Sequence, residues 1–527
     1  MEGSWDIVSG LAFALLGFVL AFTLYILVSA RSNGKVTTVP SYPIVGSFFA
    51  FWKNRRRLPD WTTELLSKAP SHTITIERPG TRKYVVTANP TNIEHLLKTR
   101  FENYPKGDFF SSILHDLLGT GIFNVDGEHW KLQRKVASFE FNTRSLRDFI
   151  TEVVQGEIIH RLLPLLRKAA GEEGTRLDIQ DVLKRFAFDN ICKVAFGTDA
   201  ACLDISLPVS PFADAFDLAT HLSCGRFAAP LQLLWKVKRV LNVGTEKRLS
   251  QAIATIREFA QEVIQTRKAE ISLSRGPTHQ DLLSRFLSLD RSAAGVGDQD
   301  SYDDFLRDIV ISFILAGRDT SSAALTWFFW LLSSHPEVDK RINLEIASVV
   351  DARGTGKPEA ETVFSFEELK NMKYLHASIC ETMRLYPPVP SDAKEALEDD
   401  VLPDGTAVGK GVRVAYHPYA MGRMESIWGT DCLEFKPERW LKQDENGSLL
   451  VVMENVFKYP VFQAGPRICL GKEMAFIQMK SIAASVLREF EFKVDPDFKP
   501  KFVATLTAKM EIGLPVRVEK REHLKGV

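Results

Sequence analysis

Cysteine is scarce in this chain and never paired. The 527 residues hold six (Cys192, Cys202, Cys224, Cys380, Cys432 and Cys469), and no two form a C-x-x-C motif. That usage excludes a disulfide scaffold and fits a reducing compartment. An excess of either charge is lacking too, since 66 basic residues face 66 acidic ones. No global basic footprint for nucleic acid exists, so a nucleic-acid partner is not expected and any charged docking surface must be local. Internal repeats and low-complexity tracts are absent. The short GTGK run at Gly354–Lys357 lacks the spacing of a phosphate loop and follows no strand, so it reads as a surface turn.

Long uncharged runs are also missing, with one exception. Ile7 to Ala30 carries no charge, and Glu2 and Asp6 precede it while Arg31 and Lys35 follow it. As a helix it spans roughly 36 Å, enough for a bilayer core of roughly 30 Å. The length, the acidic flank and the lack of a small-residue cleavage site argue against a removed signal peptide. The charge asymmetry places the body on the cytoplasmic side of a single-pass anchor. The organisation expected is an anchor over 1–31, a proline-bearing hinge over 32–46 with Pro40 and Pro43, and a globular domain over 47–527. The Asn446-Gly447-Ser448 glycosylation sequon is then idle in the cytosol.

Apolar residues make up 45% of the chain, and 35 of its residues are Phe, which suits a large apolar interior or an apolar ligand cavity. The segment around Pro79-Gly80 alternates as a β-hairpin. The pattern from Asn92 to about Arg267 is helical. Long helices are predicted from Asp303 to Ser334 and from Phe366 to Tyr386, the second opening on a Ser365/Glu368 capping box. Short strands and turns follow near Val401–His417, then a helix over Lys472–Phe490 and a strand–turn–strand tail. The fold class expected is mainly α with small β-sheets, α+β.

The most constrained stretch is FQAGPRICLGK, Phe462–Lys472. Gly465 and Gly471 allow backbone torsions closed to other residues. A tight loop can aim N–H groups at the Cys469 sulfur, and Arg467 and the start of the following helix also favour a thiolate. A thiolate so held is a strong axial ligand for haem iron and promotes O–O cleavage.

With Phe462, Gly465, Arg467, Cys469 and Gly471 in fixed spacing, the chain resembles the cytochromes P450 over essentially its full length. Other motifs stand in order: WKLQR (Trp130–Arg134), AGRDT (Ala316–Thr320), ETMR (Glu381–Arg384) and FKPERW ending at Trp440. The resemblance implies a P450 fold with iron protoporphyrin IX (haem b) bound through Cys469. It implies use of O2 and of NADPH electrons from NADPH–cytochrome P450 reductase, at the endoplasmic reticulum membrane with a cytosolic catalytic domain. It also places Trp130 and Arg134 at a haem propionate and, in some members, a further propionate contact at the position of Lys394.

Phe313, Ala316, Gly317 and Thr320 share one helix face by their spacing. Small Ala316 and Gly317 leave room for a ligand, and Gly317 loosens the helix. Thr320 offers a hydroxyl beside bound oxygen. Asp319, about 100° round the helix, feeds protons through water instead. Glu381, Arg384 and, by resemblance, Arg439 form a structural triad behind the cysteine loop. Lys131, Lys135, Lys458 and Lys472 form either a basic docking patch for an acidic electron donor or an ordinary solvated face.

The expected pocket wall comprises Phe109 and Phe110, Phe313, a turn at Val389-Pro390-Ser391, and Leu506-Thr507. All are largely apolar, pointing to a long apolar substrate. NYPKG, GIFNVDGEHW, SFILAGRDTSSAALTWFFWLL and YHPYAMGRM are similar to the plant fatty-acid hydroxylase clan. The resemblance is closest to the branch that acts at or near the ω-end and also holds enzymes oxidising jasmonoyl-isoleucine or steroid side chains. No single Arg or Lys is assigned to a substrate carboxylate. A different class, a haem-thiolate isomerase or dehydratase acting on hydroperoxides, implies loss of the acid–alcohol pair and an altered cysteine loop; both are intact here. A non-enzymatic haem protein gives no reason for Asp319-Thr320.

Overall fold

The computed structural model describes residues 39, 47–76, 83–172, 174–229, 232–273, 281–289, 299–353 and 363–521. The expected anchor Ile7–Ala30, the hinge prolines, Pro79-Gly80 and Gly354–Lys357 lie outside these. Among the described residues, no helix is long and apolar enough to cross a membrane.

Helices dominate. Those that bear on the site are α1 (Gly107–Leu118), α2 (Gly127–Ser138), α3 (Ile179–Phe196) and α4 (Pro211–Phe227). After these come α5 (Gln299–Ile314), α6 (Thr320–Ser333), α7 (Lys373–Leu385) and α8 (Lys472–Glu489). Helices α5 and α6 are one continuous rod joined by a π-helical turn over Leu315–Asp319. Nearly every side chain of α6 is buried, as its all-round apolar sequence requires. The π turn contains Gly317, a weak helix former, and π turns of this kind concentrate at functional sites.

The predicted helix Phe366–Tyr386 is two. Phe366–Asn371 opens with the capping box, Ser365 accepting from the Glu368 N–H while Glu368 accepts from the Ser365 N–H. The chain then bends at fully buried Met372 before α7 begins.

The main sheet has four strands: β1 (Thr73–Ile76), β2 (Tyr84–Thr87), β3 (Asp392–Glu395) and β4 (Arg413–Tyr416), in the order β1-β2-β4-β3. Its β2–β4 pair is parallel, with Tyr84 opposite Arg413, and its other pairs are antiparallel. A second sheet joins Phe490–Val494, Pro515–Lys520 and Leu177–Asp178. The hairpin Phe502–Ala504/Ala508–Met510 carries Leu506 at its tip.

Two apolar cores meet at the cysteine loop. One gathers α6, α7 and α8, and Phe462 packs against it. The other gathers α1, α3, α4 and α5, and Leu470 packs against it. Cys469 therefore sits on the seam between two rigid bodies of packing, with the sheet and its own core on a third side.

Candidate active site

The loop before α8 is tied by its own backbone. The Cys469 N–H donates to the Phe462 carbonyl at 2.8 Å and the Ile468 N–H to the Gly465 carbonyl at 3.1 Å. Gly465 has φ +64°, and a Cβ there would lie 1.9 Å from the Leu97 carbonyl oxygen. Only glycine fits that approach. Gly471 differs from expectation: its φ is −85°, open to any residue, and an added Cβ would make only ordinary contacts, 3.5 Å from Phe141 and 3.9 Å from the Cys469 sulfur. The forced torsion falls instead on Gln463, a non-glycine at φ +61°. Such residues persist only where surroundings over-determine them. Phe462 holds the loop down through the Phe476 ring of α8 at 5.3 Å.

The protein packed around Cys469 pushes its thiol pKa up. Burial dominates; the Gly471 N–H, Arg134 and Lys472 act in the opposite direction. Arg467, expected beside the sulfur, is turned away. Its guanidinium donates to the Val125 carbonyl at 3.0 Å and to Asp126 at 2.5 Å, and lies over the Trp130 ring at 4.4 Å. Iron coordination would deprotonate the thiol outright.

Trp130 and Arg134 lie one turn apart on α2. Trp130 is buried, and Arg134 reaches the loop itself, donating to the Ile468 carbonyl at 2.7 Å. Lys394, on β3, is fully buried and ion-paired with Asp392 at 3.2 Å. Of the four outer lysines, Lys131 pairs with Glu128 at 2.9 Å and Lys458 with Glu454 at 3.0 Å, which neutralises half of the candidate docking patch.

Ala316 and Gly317 of the π turn and Thr320, the first residue of α6, are half-buried. The space that Gly317 leaves is not a ligand's: a Cβ there would meet the Ile191 side chain of α3 at 2.8 Å, so the glycine serves close helix packing. The Thr320 hydroxyl donates to the Ala316 carbonyl at 2.7 Å, leaving its lone pairs as acceptors. Asp319 points elsewhere. It pairs with fully buried Arg318 at 2.8 Å and accepts from Thr507 at 3.4 Å. Arg318 also holds Asp217 of α4 at 2.7 Å, which Lys184 of α3 binds at 2.5 Å. Burial pushes the Asp319 carboxyl up, against the pull of Arg318. Asp319, Lys184, Asp217, Thr220 and Thr507 line a small polar cavity with a water-accessible volume of about 10 Å³, close to the threshold for one water. Lys184 and Asp217 carried no motif, and only the fold brings them here.

Glu381 and Arg384 form a forked pair at 2.7 and 2.8 Å, and Arg439 approaches Glu381 at 3.4 Å. Trp440 adds an indole N–H to Glu381 at 2.9 Å. The stack continues from Trp440 to the Tyr459 ring at 4.7 Å, and the Tyr459 hydroxyl donates back to the Cys380 carbonyl at 2.9 Å. The triad thus braces the chain that leads into the cysteine loop.

Phe109, Phe110, Phe313 and Leu506 belong to one apolar cluster. Phe227, at the end of α4, joins them with ring distances of 6.0 Å to Phe109 and 5.7 Å to Phe110; it bears no local signal in the sequence. Val389 and Pro390 come alongside because the Ala508 N–H donates to the Pro388 carbonyl at 2.7 Å, tying the two turns.

The residues fit a haem. Arg467 Nε and Gln463 Oε1 are buried without a hydrogen-bond partner. Arg134, Arg467, Lys106 and Lys394 interact with one another or with the carboxylates Asp392 and Asp126. The cations outnumber the two carboxylates, which suits the anionic propionates of haem b. A lone thiol stands on the adjoining loop.

The cytochrome P450 family model matches residues 38–515. Similar proteins include cytochrome P450 94B3 of Arabidopsis thaliana, 49% identical over 524 residues, covering 98% of this chain and 99% of the relative. Cytochrome P450 94A1 of Vicia sativa is 46% identical over 495 residues, covering 93% and 92%. Cytochrome P450 94C1 of Arabidopsis thaliana is 50% identical over 467 residues, covering 88% and 90%. The chain belongs to the cytochrome P450 family, as a monooxygenase of its 94 branch.

Proposed function

We propose that this protein hydroxylates a long apolar substrate, a fatty acid at or near its ω-end. It does so as a single-pass protein of the endoplasmic reticulum membrane, with electrons from NADPH delivered by NADPH–cytochrome P450 reductase. The observation that carries the substrate class is the wall of Phe109, Phe110, Phe227, Phe313 and Leu506, contiguous with the π turn. An apolar wall orients a hydrocarbon terminus by burial alone and offers no polar group to reject it.

When bound, the haem supplies the activation of O2 that places one oxygen atom in a C–H bond and releases the other as water, consuming two electrons and two protons. The protein's residues do the rest. Cys469 would supply the thiolate that holds the haem iron. Trp130, Arg134 and Arg467 would hold the propionate side. Thr320, its hydroxyl proton engaged by Ala316, would offer a hydrogen-bond acceptor toward the haem, and Asp319 would pass protons through the small cavity. The aromatic wall keeps bulk water from the reacting carbon.

The test is product analysis. Membranes holding this chain and a reductase receive NADPH with lauric acid, oleic acid, jasmonoyl-isoleucine and a hydroxylated sterol, and mass spectrometry locates the added oxygen. A terminal or near-terminal hydroxy fatty acid is the expected result. Oxidation of only the hormone conjugate or the sterol would keep the chemistry and replace the substrate. NADPH-independent conversion of a fatty-acid hydroperoxide, with no hydroxylation, would overturn the reading.

A further inference from the structure

Asp392 is the most heavily bonded carboxylate near the cysteine loop. It receives the Lys106 ammonium at 2.8 Å, the Lys394 ammonium at 3.2 Å, the Tyr416 hydroxyl at 3.2 Å and the Gln463 side-chain N–H at 2.6 Å. These donors come from four places in the fold. Lys394 is two residues along β3, hence on the same buried face. Tyr416 stands directly opposite on β4. Lys106 precedes α1, whose start is drawn onto β3 by the Glu395 N–H bonding the Pro105 carbonyl at 3.0 Å. Gln463 is the strained residue of the cysteine loop.

The balance of charge around Asp392 is informative. Burial would push its carboxyl up, but Lys106 and Lys394 hold it well below the usual carboxylate range, so it is an anion. Burial pushes Lys394 down to about 7 despite Asp392. Without Asp392, two buried ammonium groups would face each other and Arg467 with no counter-charge, at a cost that no fold of this size tolerates lightly. With it, the cluster still holds an excess of positive charge, and the Gln463 Oε1 and Arg467 Nε atoms beside it lack partners. One aspartate thus aligns two lysines for an incoming dianionic edge and connects that edge to the loop that bears the iron ligand.

We propose that Asp392 is a positioning residue for the cofactor: it presents Lys106 and Lys394 to the haem propionates and, through Gln463, joins them to the Cys469 loop, so that its charge helps to set the ferric–ferrous potential. The proposal rests on haem-thiolate binding at Cys469. The sign follows from charge alone. The ferrous state holds one more electron than the ferric, so a nearby anion disfavours reduction and a nearby cation favours it.

Potentiometric titration of the purified holoprotein tests this. The wild type must first show the thiolate signature of its ferrous–CO complex; its absence would overturn the haem reading and this proposal with it. Asp392→Asn is expected to favour the ferrous form by about tenfold, about 59 mV for a one-electron couple. Asp392→Glu, which keeps the charge, is expected to stay within about a quarter of that shift. Lys394→Met is expected to move the potential the opposite way, and it carries the test, together with Gln463→Leu, if Asp392→Asn does not retain haem. Gln463→Leu removes a donor that screens Asp392 and should also favour the ferric form. Shifts of the same sign in Asp392→Asn and Lys394→Met, or none in Lys394→Met and Gln463→Leu, would overturn the proposal, since a residue that merely holds the fold would not produce opposed signs.

Discussion

Glu381 and Arg384 meet as a two-pronged pair with both side chains wholly removed from solvent, Nε to Oε2 at 2.7 Å and Nη2 to Oε1 at 2.8 Å. The arginine's remaining donors reach the Cys432 carbonyl at 2.6 Å and the Glu434 carbonyl at 2.9 Å. Nothing in this arrangement faces the reacting centre; it fixes the path of the chain between α7 and the cysteine loop. Glu381→Gln leaves a buried guanidinium without its counter-charge, a loss of about 3–5 kcal/mol. The expected outcome is a protein recovered largely without haem, measured as the ratio of thiolate-type ferrous–CO signal to total protein. Arg384→Lys should not rescue, because an ammonium cannot reproduce the fork.

Gly465 supports a second prediction. Gly465→Ala would combine a left-handed backbone with a Cβ 1.9 Å from the Leu97 carbonyl oxygen, so the loop must move. Haem incorporation should fall sharply. Gly471→Ala, whose Cβ meets nothing closer than 3.5 Å, should incorporate haem nearly as the wild type does. Equal behaviour of the two variants, read from the same spectrum, would contradict the geometry.

These contrasts show where the sequence is legible and where it is not. Residues tied to a local backbone demand could be read: Gly465 and the capping box at Ser365. The mainly helical class with small sheets followed from periodicity. What could not be read depends on partners distant in sequence. The apolar pattern runs unbroken through Met372, yet the helix restarts there because Glu345, from another helix, accepts the Tyr374 and Leu375 N–H groups at 2.7 and 2.9 Å. Gly317 looks like space for a ligand until Ile191 is found filling it. Asp392 sits among other acids in its segment, and only the fold gathers Lys106, Tyr416 and Gln463 around it.

Two histidines give the acid limit of stability. Burial lowers His376 to about 3, with Lys480 and Lys472 adding to the effect, and its ring stacks on Phe476 at 4.2 Å. Burial lowers His417 to about 4, and its Nδ1 accepts from the Ala420 N–H, which requires the neutral ring. Both are neutral when folded and protonate near pH 6.5 when unfolded. The unfolded chain therefore binds more protons below about pH 6.5, and stability falls as pH drops from there toward the folded values. At about pH 5 each histidine costs about 2 kcal/mol relative to neutral pH. Urea denaturation at about pH 7.5 and pH 5 should show the loss, and His376→Gln should remove about half of the share due to this pair. An unchanged pH difference in that variant would mean His376 is protonated in the fold.

The last prediction concerns proton supply, where Thr320 and Asp319 are neighbours in sequence but not in contact. The Thr320 hydroxyl donates to the Ala316 carbonyl and is left as an acceptor, whereas Asp319 turns toward Arg318 and Thr507. The two residues should therefore fail differently. Thr320→Ala removes the acceptor proposed for the oxygen side but leaves the ionic chain intact; NADPH consumption should continue while hydrogen peroxide replaces product. Asp319→Asn removes the ionisable carboxyl, which burial raises, and with it the proposed proton carrier. Turnover itself should slow by roughly a hundredfold and its solvent isotope effect should grow. Asp217→Asn tests the outer end of the chain. Arg318 would keep Asp319 but lose its link to Lys184, so the slowing should be smaller than for Asp319→Asn, with coupling of electrons to product preserved. Identical peroxide yields from Thr320→Ala and Asp319→Asn would mean that the two act as one unit, which their separate hydrogen-bond partners argue against.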